Sequence, residues 1–321
     1  GLKLIYDTEK PKIITSGSSS LELKVNILPY LVGRAFTFDL LTFSFGEFLK
    51  SKDHSLARIF YEKNNSVKAF IAEGKEIGKP SFAAELANHF KEYAVFGGYP
   101  EAVMAPRDEK TLVIDSLRST YLEKDVAAFF HVYDTSKFED FVKVLAFQTA
   151  NVLSVSVVAK ELGIGLKKAE EFLEILQHTY LVRLLRPFHR NLSTEVRKSR
   201  KVYFLDLGLR NSVMGNFIEF DKREDQGKLL ENFVFRELTA SFGDWEIRYW
   251  RTTAKAEVDF VLMKGDQIVP IEVKAGGKPG KSFYSFCQTY KPKRAVIVTL
   301  DRFEKAKIGN TTVYYVPAFY L

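Results

Sequence analysis

The sequence has very little cysteine, because Cys287 is the only one among 321 residues. A single thiol cannot form an internal disulfide, and it excludes a metal site built from several cysteines. This usage fits a reducing compartment, so we expect a cytoplasmic protein. Cys287 itself is expected to be a small apolar residue of the core.

The sequence also lacks any apolar run long enough to span a bilayer, and no signal peptide is visible at its start. We therefore expect no membrane-spanning segment, and the partner that we predict is DNA and not a membrane. The first residue is Gly1 and not methionine, which indicates a processed product or a fragment. Internal repeats and low-complexity tracts are lacking as well.

What is present indicates a soluble globular protein of two or three domains. Hydrophobic residues make up 46% of the chain, enough for a core, and charged residues make up 27%. The formal net charge of +7 favours a polyanionic partner, either nucleic acid or a membrane surface.

The first 130 residues change from strand-like to helical patterns. Residues 12–15 predict a short buried strand, and residues 36–40 predict a second one. Ser44 followed three residues later by Glu47 predicts a capping box at a helix start. The helical pattern continues to about residue 130, with a break at residues 96–100, Phe-Gly-Gly-Tyr-Pro.

Residues 137–215 follow the order of a winged helix, which is helix, helix, turn, helix and a two-stranded wing. The third helix, at about 167–177, has an apolar inner face. The predicted elements are helices at 137–149, 158–162 and 167–177, and strands at 180–185 and 202–205. The inner face of the third helix consists of Ala169, Phe172, Leu173 and Leu176.

This winged helix predicts contacts to DNA from two places. Two lysines open its third helix, and a basic run at residues 197–201 lies on its wing. The predicted DNA-binding residues are Lys167, Lys168, Arg197, Lys198, Arg200 and Lys201. Two alternatives stay open, a solvated loop and a winged helix that binds protein.

Residues 222–321 predict a separate α/β unit. Two of its strands form a hairpin around a turn at residues 264–266. The predicted elements are helices at 227–242 and 282–290, and strands at 246–251, 256–263, 267–274 and 295–300.

The hairpin of this unit brings ionisable side chains together. Side chains alternate across a strand, so Glu272 and Lys274 share one face, and the hairpin places Asp259 beside them. Hard divalent cations such as Mg²⁺ prefer carboxylate oxygens, so Asp259 and Glu272 are the predicted metal ligands, with the backbone carbonyl of Val273 as a further donor. Lys274 would orient or activate a water, and Glu231 on the preceding helix is a fourth candidate catalytic residue.

This order of a helical Glu, an Asp and a Glu-x-Lys resembles the PD-(D/E)XK nuclease superfamily over about residues 225–300. The resemblance implies a DNA endonuclease that depends on Mg²⁺ or Mn²⁺. Val258 stands where that family usually has proline, and Glu257 shares a face with Asp259. The alternatives are a surface hairpin with ordinary charges and a nuclease fold that binds DNA without cutting it.

Residues 275–282 also match a relaxed phosphate-binding loop, Ala-x-x-x-x-Gly-Lys-Ser. We reject that interpretation because only about forty residues follow, too few for the rest of a nucleotide-binding sheet. The same segment fits a basic glycine-rich loop near a DNA backbone.

Several motifs in order resemble an uncharacterised domain that follows the ATPase in archaeal and bacterial AAA+-type ATPases. The opening resembles the sensor-1 loop of such an ATPase, with Ser18 near the γ-phosphate and Arg34 as an arginine finger; as alternatives, Ser18 is a polar loop residue and Arg34 a surface charge. The motif segments are Tyr121–Asp125, Leu205–Leu209, Gly227–Val234 and Glu257–Phe260. The resemblance implies ATP as a cofactor only in the full-length form, and a homo-oligomer through the ATPase part. Both Walker motifs are missing here, so we do not expect this chain to hydrolyse ATP by itself.

The predicted fold class is α/β multidomain. The predicted domains are an AAA+ remnant at 1–45, a helical lid at 46–130, a winged helix at 131–220 and a PD-(D/E)XK nuclease-like domain at 221–321. The predicted function is a DNA-binding protein with a Mg²⁺-dependent endonuclease domain. The alternatives are an inactive nuclease-fold DNA-binding or regulatory module, and an ATP-dependent switch in the full-length form.

Overall fold

The computed structural model of the protein describes residues 8, 10–16, 36–122, 134–189 and 200–321. These residues form a mixed α/β structure with two sheets. Its helices are α1 (Phe45–Lys52), α2 (His54–Glu73), α3 (Ala83–Phe96), α4 (Pro100–Met104), α5 (Lys110–Thr120), α6 (Thr135–Phe147), α7 (Val155–Glu161), α8 (Leu166–His178), α9 (Leu207–Met214), α10 (Gln226–Ser241) and α11 (Lys281–Tyr290). Its strands are β1 (Val152–Leu153), β2 (Val182–Leu185), β3 (Arg200–Phe204), β4 (Glu246–Arg251), β5 (Glu257–Lys264), β6 (Gln267–Val273), β7 (Arg294–Thr299), β8 (Glu304–Ile308) and β9 (Thr311–Pro317).

Both strands predicted near the amino terminus are wrong. Residues 12–15 and 36–40 form neither helix nor strand, and they are largely exposed. Ile14 is 84% exposed and Phe38 is 89% exposed. A strand needs a neighbour for its backbone hydrogen bonds, and within the described ranges no strand pairs with either segment.

The predicted capping box at the start of α1 is confirmed. The Ser44 side chain accepts a hydrogen bond from the Glu47 backbone N–H, and the Glu47 carboxylate accepts one from the Ser44 backbone. The pattern of apolar residues also places α8 correctly, because all four residues of its predicted inner face are buried.

The smaller sheet is antiparallel, with the order β1-β3-β2, and follows helices α6 to α8 in the chain. Its central strand β3 pairs with β1 through Lys201 and Val152, and with β2 through Lys201 and Leu185. Strand β3 therefore has neighbours on both edges, and its side chains must point alternately to the two faces of the sheet.

The larger sheet has six strands in the order β4-β5-β6-β7-β9-β8. Strands β4, β5 and β6 are antiparallel, and β7 then runs parallel to β6 and to β9. Gly265 has a positive φ of 56° in the predicted hairpin turn, a conformation that glycine adopts readily. The last hairpin, β8 and β9, was not predicted from the sequence.

One hydrophobic core joins helices α1 to α3 to α10 and the large sheet. Phe45 meets Phe233 of α10 edge to face, and Phe70 meets Tyr314 of β9. Tyr203 of β3 stacks on Phe235 of α10, with ring centroids 4.3 Å apart. The small sheet is thereby attached to α10, the helix that precedes the large sheet in the chain.

No helix in the described ranges is both long and apolar enough to cross a bilayer.

Glu237 is a buried carboxylate in this core and gives the protein a pH-dependent stability. It accepts a hydrogen bond from the Phe45 backbone N–H at 3.1 Å. Burial raises the pKa of Glu237 to about 7. The folded state therefore holds its proton at pH values where the unfolded chain has lost it, so stability falls as pH rises from the ordinary carboxyl pKa towards 7.

Glu237→Gln removes this titration. We therefore expect the unfolding free energy of the variant, relative to wild type, to be about 3 kcal/mol larger at pH 8 than at pH 5, because a pKa difference of one unit corresponds to about 1.4 kcal/mol. Urea unfolding of both proteins at both pH values measures this. Glu170→Gln, which changes an exposed carboxylate of α8, is the matched control. A stability difference between wild type and Glu237→Gln that is the same at both pH values would contradict the prediction.

Candidate active site

Asp259 lies on β5 and reaches across the hairpin to the end of β6. Its Oδ2 accepts a hydrogen bond from the Val273 backbone N–H at 2.8 Å. The register that pairs Phe260 with Ile271 accounts for this, because it brings Asp259 to the end of β6 that carries Glu272. The structure therefore brings Asp259 and Glu272 together, as the alternation of both strands predicted.

Glu272 is buried and keeps an unpaired carboxylate oxygen. Lys274 Nζ lies 2.8 Å from Glu272 Oε1, which places the Glu-x-Lys pair on one face as predicted. Within the part of the chain that the structure describes, Glu272 Oε2 is buried and has no hydrogen-bond partner. Burial raises the pKa of Glu272, and the nearby charge of Asp259 raises it further.

Lys274 has one third of its side chain exposed to solvent. Burial lowers the pKa of Lys274, but the carboxylates of Glu272, Asp259 and Glu231 together raise it, so the net direction is upward. Lys274 is therefore charged at neutral pH and accessible to a ligand.

Glu231 joins the site from α10. Its Oε1 accepts hydrogen bonds from the Tyr203 hydroxyl at 2.6 Å and from Lys201 Nζ at 2.8 Å. Burial raises the pKa of Glu231, and Asp259 is the second cause. Lys201 Nζ contacts both Glu231 and Asp259, so the two carboxylates lie in one cluster, and the catalytic role of Glu231 stays a prediction.

Lys201 lies at the centre of these carboxylates, and its predicted position on an exposed wing is wrong. Its side chain is 1% exposed, and Nζ lies 2.8 Å from Glu231, 2.6 Å from Glu257 and 3.6 Å from Asp259. The reason is that β3 already begins at Arg200, so Lys201 is a strand residue whose side chain points inward. Burial would lower the pKa of Lys201, but the carboxylates raise it further, so Lys201 is a buried cation.

Glu257, which the sequence places on the same face as Asp259, is a full member of the cluster. One of its oxygens contacts Lys201, and the other lies 2.9 Å from Arg251. Four carboxylates therefore meet three cationic side chains at this site. The carboxylates are Glu231, Glu257, Asp259 and Glu272, and the cations are Lys201, Arg251 and Lys274.

The residues fit a divalent cation at Asp259 and Glu272, but not at the centre of the cluster. The unpaired buried oxygen of Glu272 and the excess of negative charge both favour one more cation at that end. At the centre, Lys201 fills the space between the carboxylates. The described residues contain no group of three or more His, Cys, Asp or Glu arranged to hold a metal ion, so a cation at that end would have only Asp259 and Glu272 as side-chain ligands.

The other predicted site residues lie apart from this cluster or outside the described residues. Lys167 is exposed at the start of α8, and Lys168 beside it lies 3.4 Å from Glu171. Arg200 is partly exposed at the start of β3. Arg197 and Lys198 of the predicted wing, and Ser18 and Arg34 of the predicted nucleotide site, lie outside the described residues.

Three stretches of the chain match known protein families. Residues 1–49 match an AAA domain, residues 87–219 match the domain of unknown function DUF8612, and residues 226–319 match the domain of unknown function DUF4143. The first and third matches support an AAA-type ATPase family.

Several relatives carry the name uncharacterized protein. One from Mycobacterium tuberculosis is 26% identical over 58% of this chain and 43% of its own length. One from Haemophilus influenzae is 21% identical over 98% of this chain and 71% of its own, and one from Methanocaldococcus jannaschii is 27% identical over 78% and 52%. The chain thus spans less than half the length of the mycobacterial relative.

Proposed function

We propose that this protein is a metal-dependent phosphodiesterase that cuts DNA, and that it acts as the effector part of an AAA-type ATPase. One observation carries the proposal, the buried and unpaired oxygen of Glu272 beside Asp259 and Lys274. A buried carboxylate oxygen without a partner is costly for a protein unless a cation or ligand satisfies it.

Each residue of the cluster has a role in the proposed reaction. Asp259 and Glu272 would hold Mg²⁺ or Mn²⁺, which would neutralise the phosphate and lower the pKa of a bound water. Lys274 is exposed enough to orient that water and to offset charge that develops on the phosphate. The Asp259 carboxylate is oriented for this role by the Val273 backbone N–H.

DNA is the proposed substrate because the chain carries a net charge of +7 and two adjacent lysines at the start of α8. Lys167 and Lys168 would contact phosphates, which strengthens binding without selecting a sequence. ATP would act through the ATPase part of the full-length form and control access of DNA to the site.

Cleavage of plasmid, single-stranded and branched DNA by the 321-residue chain, with Mg²⁺ or Mn²⁺, tests the proposal. We expect cleavage that EDTA abolishes and that Asp259→Ala lowers about 10³-fold, the upper end of the effect of removing a group that stabilises a transition state electrostatically. Asp244→Ala is the matched control, because Asp244 is an exposed carboxylate paired with Lys264 on the same sheet. Equal cleavage by wild type and Asp259→Ala would overturn the assignment of the site.

A second candidate function is a DNA-binding or regulatory module that does not cut. Lys201 favours it, because a lysine that contacts Glu231, Glu257 and Asp259 neutralises much of the charge that would otherwise attract metal. DNA binding by the wild-type chain without cleavage of any of the three substrates would select this second function.

A further inference from the structure

Lys201 is held in the carboxylate cluster by the backbone of β3. It pairs with Val152 on one side and with Leu185 on the other, so the strand cannot slide or turn over without losing both neighbours. Two residues further on, Tyr203 points to the same face, stacks on Phe235 and donates its hydroxyl hydrogen to Glu231.

Strand β3 is also attached to α10 beside Glu231. Asn232 accepts a hydrogen bond from the Phe204 backbone N–H at 2.9 Å and donates one to the Phe204 carbonyl at 2.8 Å. Asn232 is fully buried, so both bonds are shielded from water. The small sheet therefore places Lys201, and α10 places Glu231, as two parts of one rigid contact.

The ammonium group of Lys201 fills the space among Glu231, Glu257 and Asp259 that a second cation would need. In two-metal sites the two cations lie about 4 Å apart. Asp259 is the carboxylate between the two ends of this cluster, because Lys201 lies 3.6 Å from its Oδ1 while its Oδ2 faces the Val273 backbone beside Glu272. Glu231 and Glu257 complete the surroundings of Lys201.

We propose that Lys201 is a built-in cation of this site, which fills the position among Glu231, Glu257 and Asp259 and limits the site to one divalent ion. This inference rests on the proposed function, because the single divalent ion is the one proposed at Asp259 and Glu272. Lys201 is a positioning residue, because an ammonium group neutralises carboxylates but cannot bind a water as a Lewis acid. Activation of the attacking water is left to the Asp259 and Glu272 end, next to Lys274.

Mn²⁺ binding to the 321-residue chain tests the inference without any measurement of cleavage. Equilibrium titration followed by the EPR signal of free Mn²⁺ gives the number of ions bound per chain. We expect one ion in wild type, two in Lys201→Met and none in Glu272→Gln. Lys264→Met is the matched control, because Lys264 is an exposed lysine of β5 that pairs with one exposed carboxylate.

The counts separate this inference from the proposed function. No ion in wild type and one in Lys201→Met would support the built-in cation and count against the metal at Asp259 and Glu272. Two ions in wild type would overturn the inference, and so would the same count in wild type and Lys201→Met. One ion in wild type that is lost in Glu272→Gln supports the proposed metal ligands whatever Lys201→Met shows.

Lys201→Met leaves three carboxylates without their shared cation, so its folding needs a second variant. Lys201→Met combined with Glu257→Gln removes one of these negative charges and is expected to bind the extra ion through Glu231 and Asp259. Thermal unfolding with and without Mn²⁺ shows whether each variant is folded. If neither variant folds, the wild-type titration still tests the inference, because two ions bound per chain overturn it and a single ion is the count that it expects.

Discussion

Replacement of Lys274 by methionine is expected to lower kcat for DNA cleavage about 10³-fold and to change KM little. Lys274 lies at the solvent-facing side of the cluster and contacts Glu272 at 2.8 Å. In the proposed reaction its charge acts on the phosphate as negative charge develops there, so its loss affects the transition state more than the bound substrate. Steady-state cleavage of a short labelled DNA in Mg²⁺ gives both constants.

The matched control is Lys307→Met, which removes the same charge from an exposed position on β8. It should leave kcat and KM close to the wild-type values. Mn²⁺ binding and thermal unfolding of Lys274→Met show whether the variant keeps its metal and its fold. A folded, metal-binding Lys274→Met protein with kcat within tenfold of wild type would remove Lys274 from the catalytic residues.

The Gly208→Ala variant is expected to lose about 3 kcal/mol of unfolding free energy or more, since extra atoms in a packed core cost about 1–3 kcal/mol and backbone is harder to displace than side chains. A Cβ at Gly208 would lie 2.1 Å from the Phe96 carbonyl oxygen. Gly98 has a similar restriction, because its Cβ would lie 2.2 Å from the Phe43 oxygen. Both glycines belong to the contact between the end of α3 and the start of α9.

Asp206 holds the end of α3 close to the start of α9, so no room remains for a side chain at Gly208. Its carboxylate accepts hydrogen bonds from the Gly98 N–H at 2.8 Å and from the Leu209 N–H at 2.9 Å. Chemical denaturation of Gly208→Ala measures the loss. Gly227→Ala on α10 is the control, since beyond its own turn of helix no described atom would lie within 4 Å of the added Cβ, and alanine favours a helix by about 1 kcal/mol over glycine. Equal stability of Gly208→Ala and wild type would contradict the close packing at this contact.

Local sequence patterns predicted several helix boundaries and buried faces. Ser44 and Glu47 marked the start of α1, and the four apolar residues of α8 gave its buried face. The break at residues 96–100 was also predicted from its glycines. These successes share a physical reason, because capping, helical periodicity and glycine conformations depend on residues within a few positions of each other.

The failures depended on partners distant in the chain. Residues 12–15 and 36–40 have apolar strand-like patterns, but they lie exposed without strand neighbours among the described residues. Strands β8 and β9 were missed, although they complete the large sheet through the pairing of β9 with β7. A short apolar pattern becomes a strand only where the fold supplies a neighbouring edge.

Alternation along two neighbouring strands was enough, from sequence alone, to group Asp259, Glu272 and Lys274, because a hairpin joins strands that lie close in the chain. Only the tertiary structure decided the place of Lys201. In the sequence Lys201 ends a basic run, and that run predicts a surface contact to phosphate. In the fold it is buried among Glu231, Glu257 and Asp259, because β3 docks on α10 and the charges come from three separate elements, β3, α10 and β5.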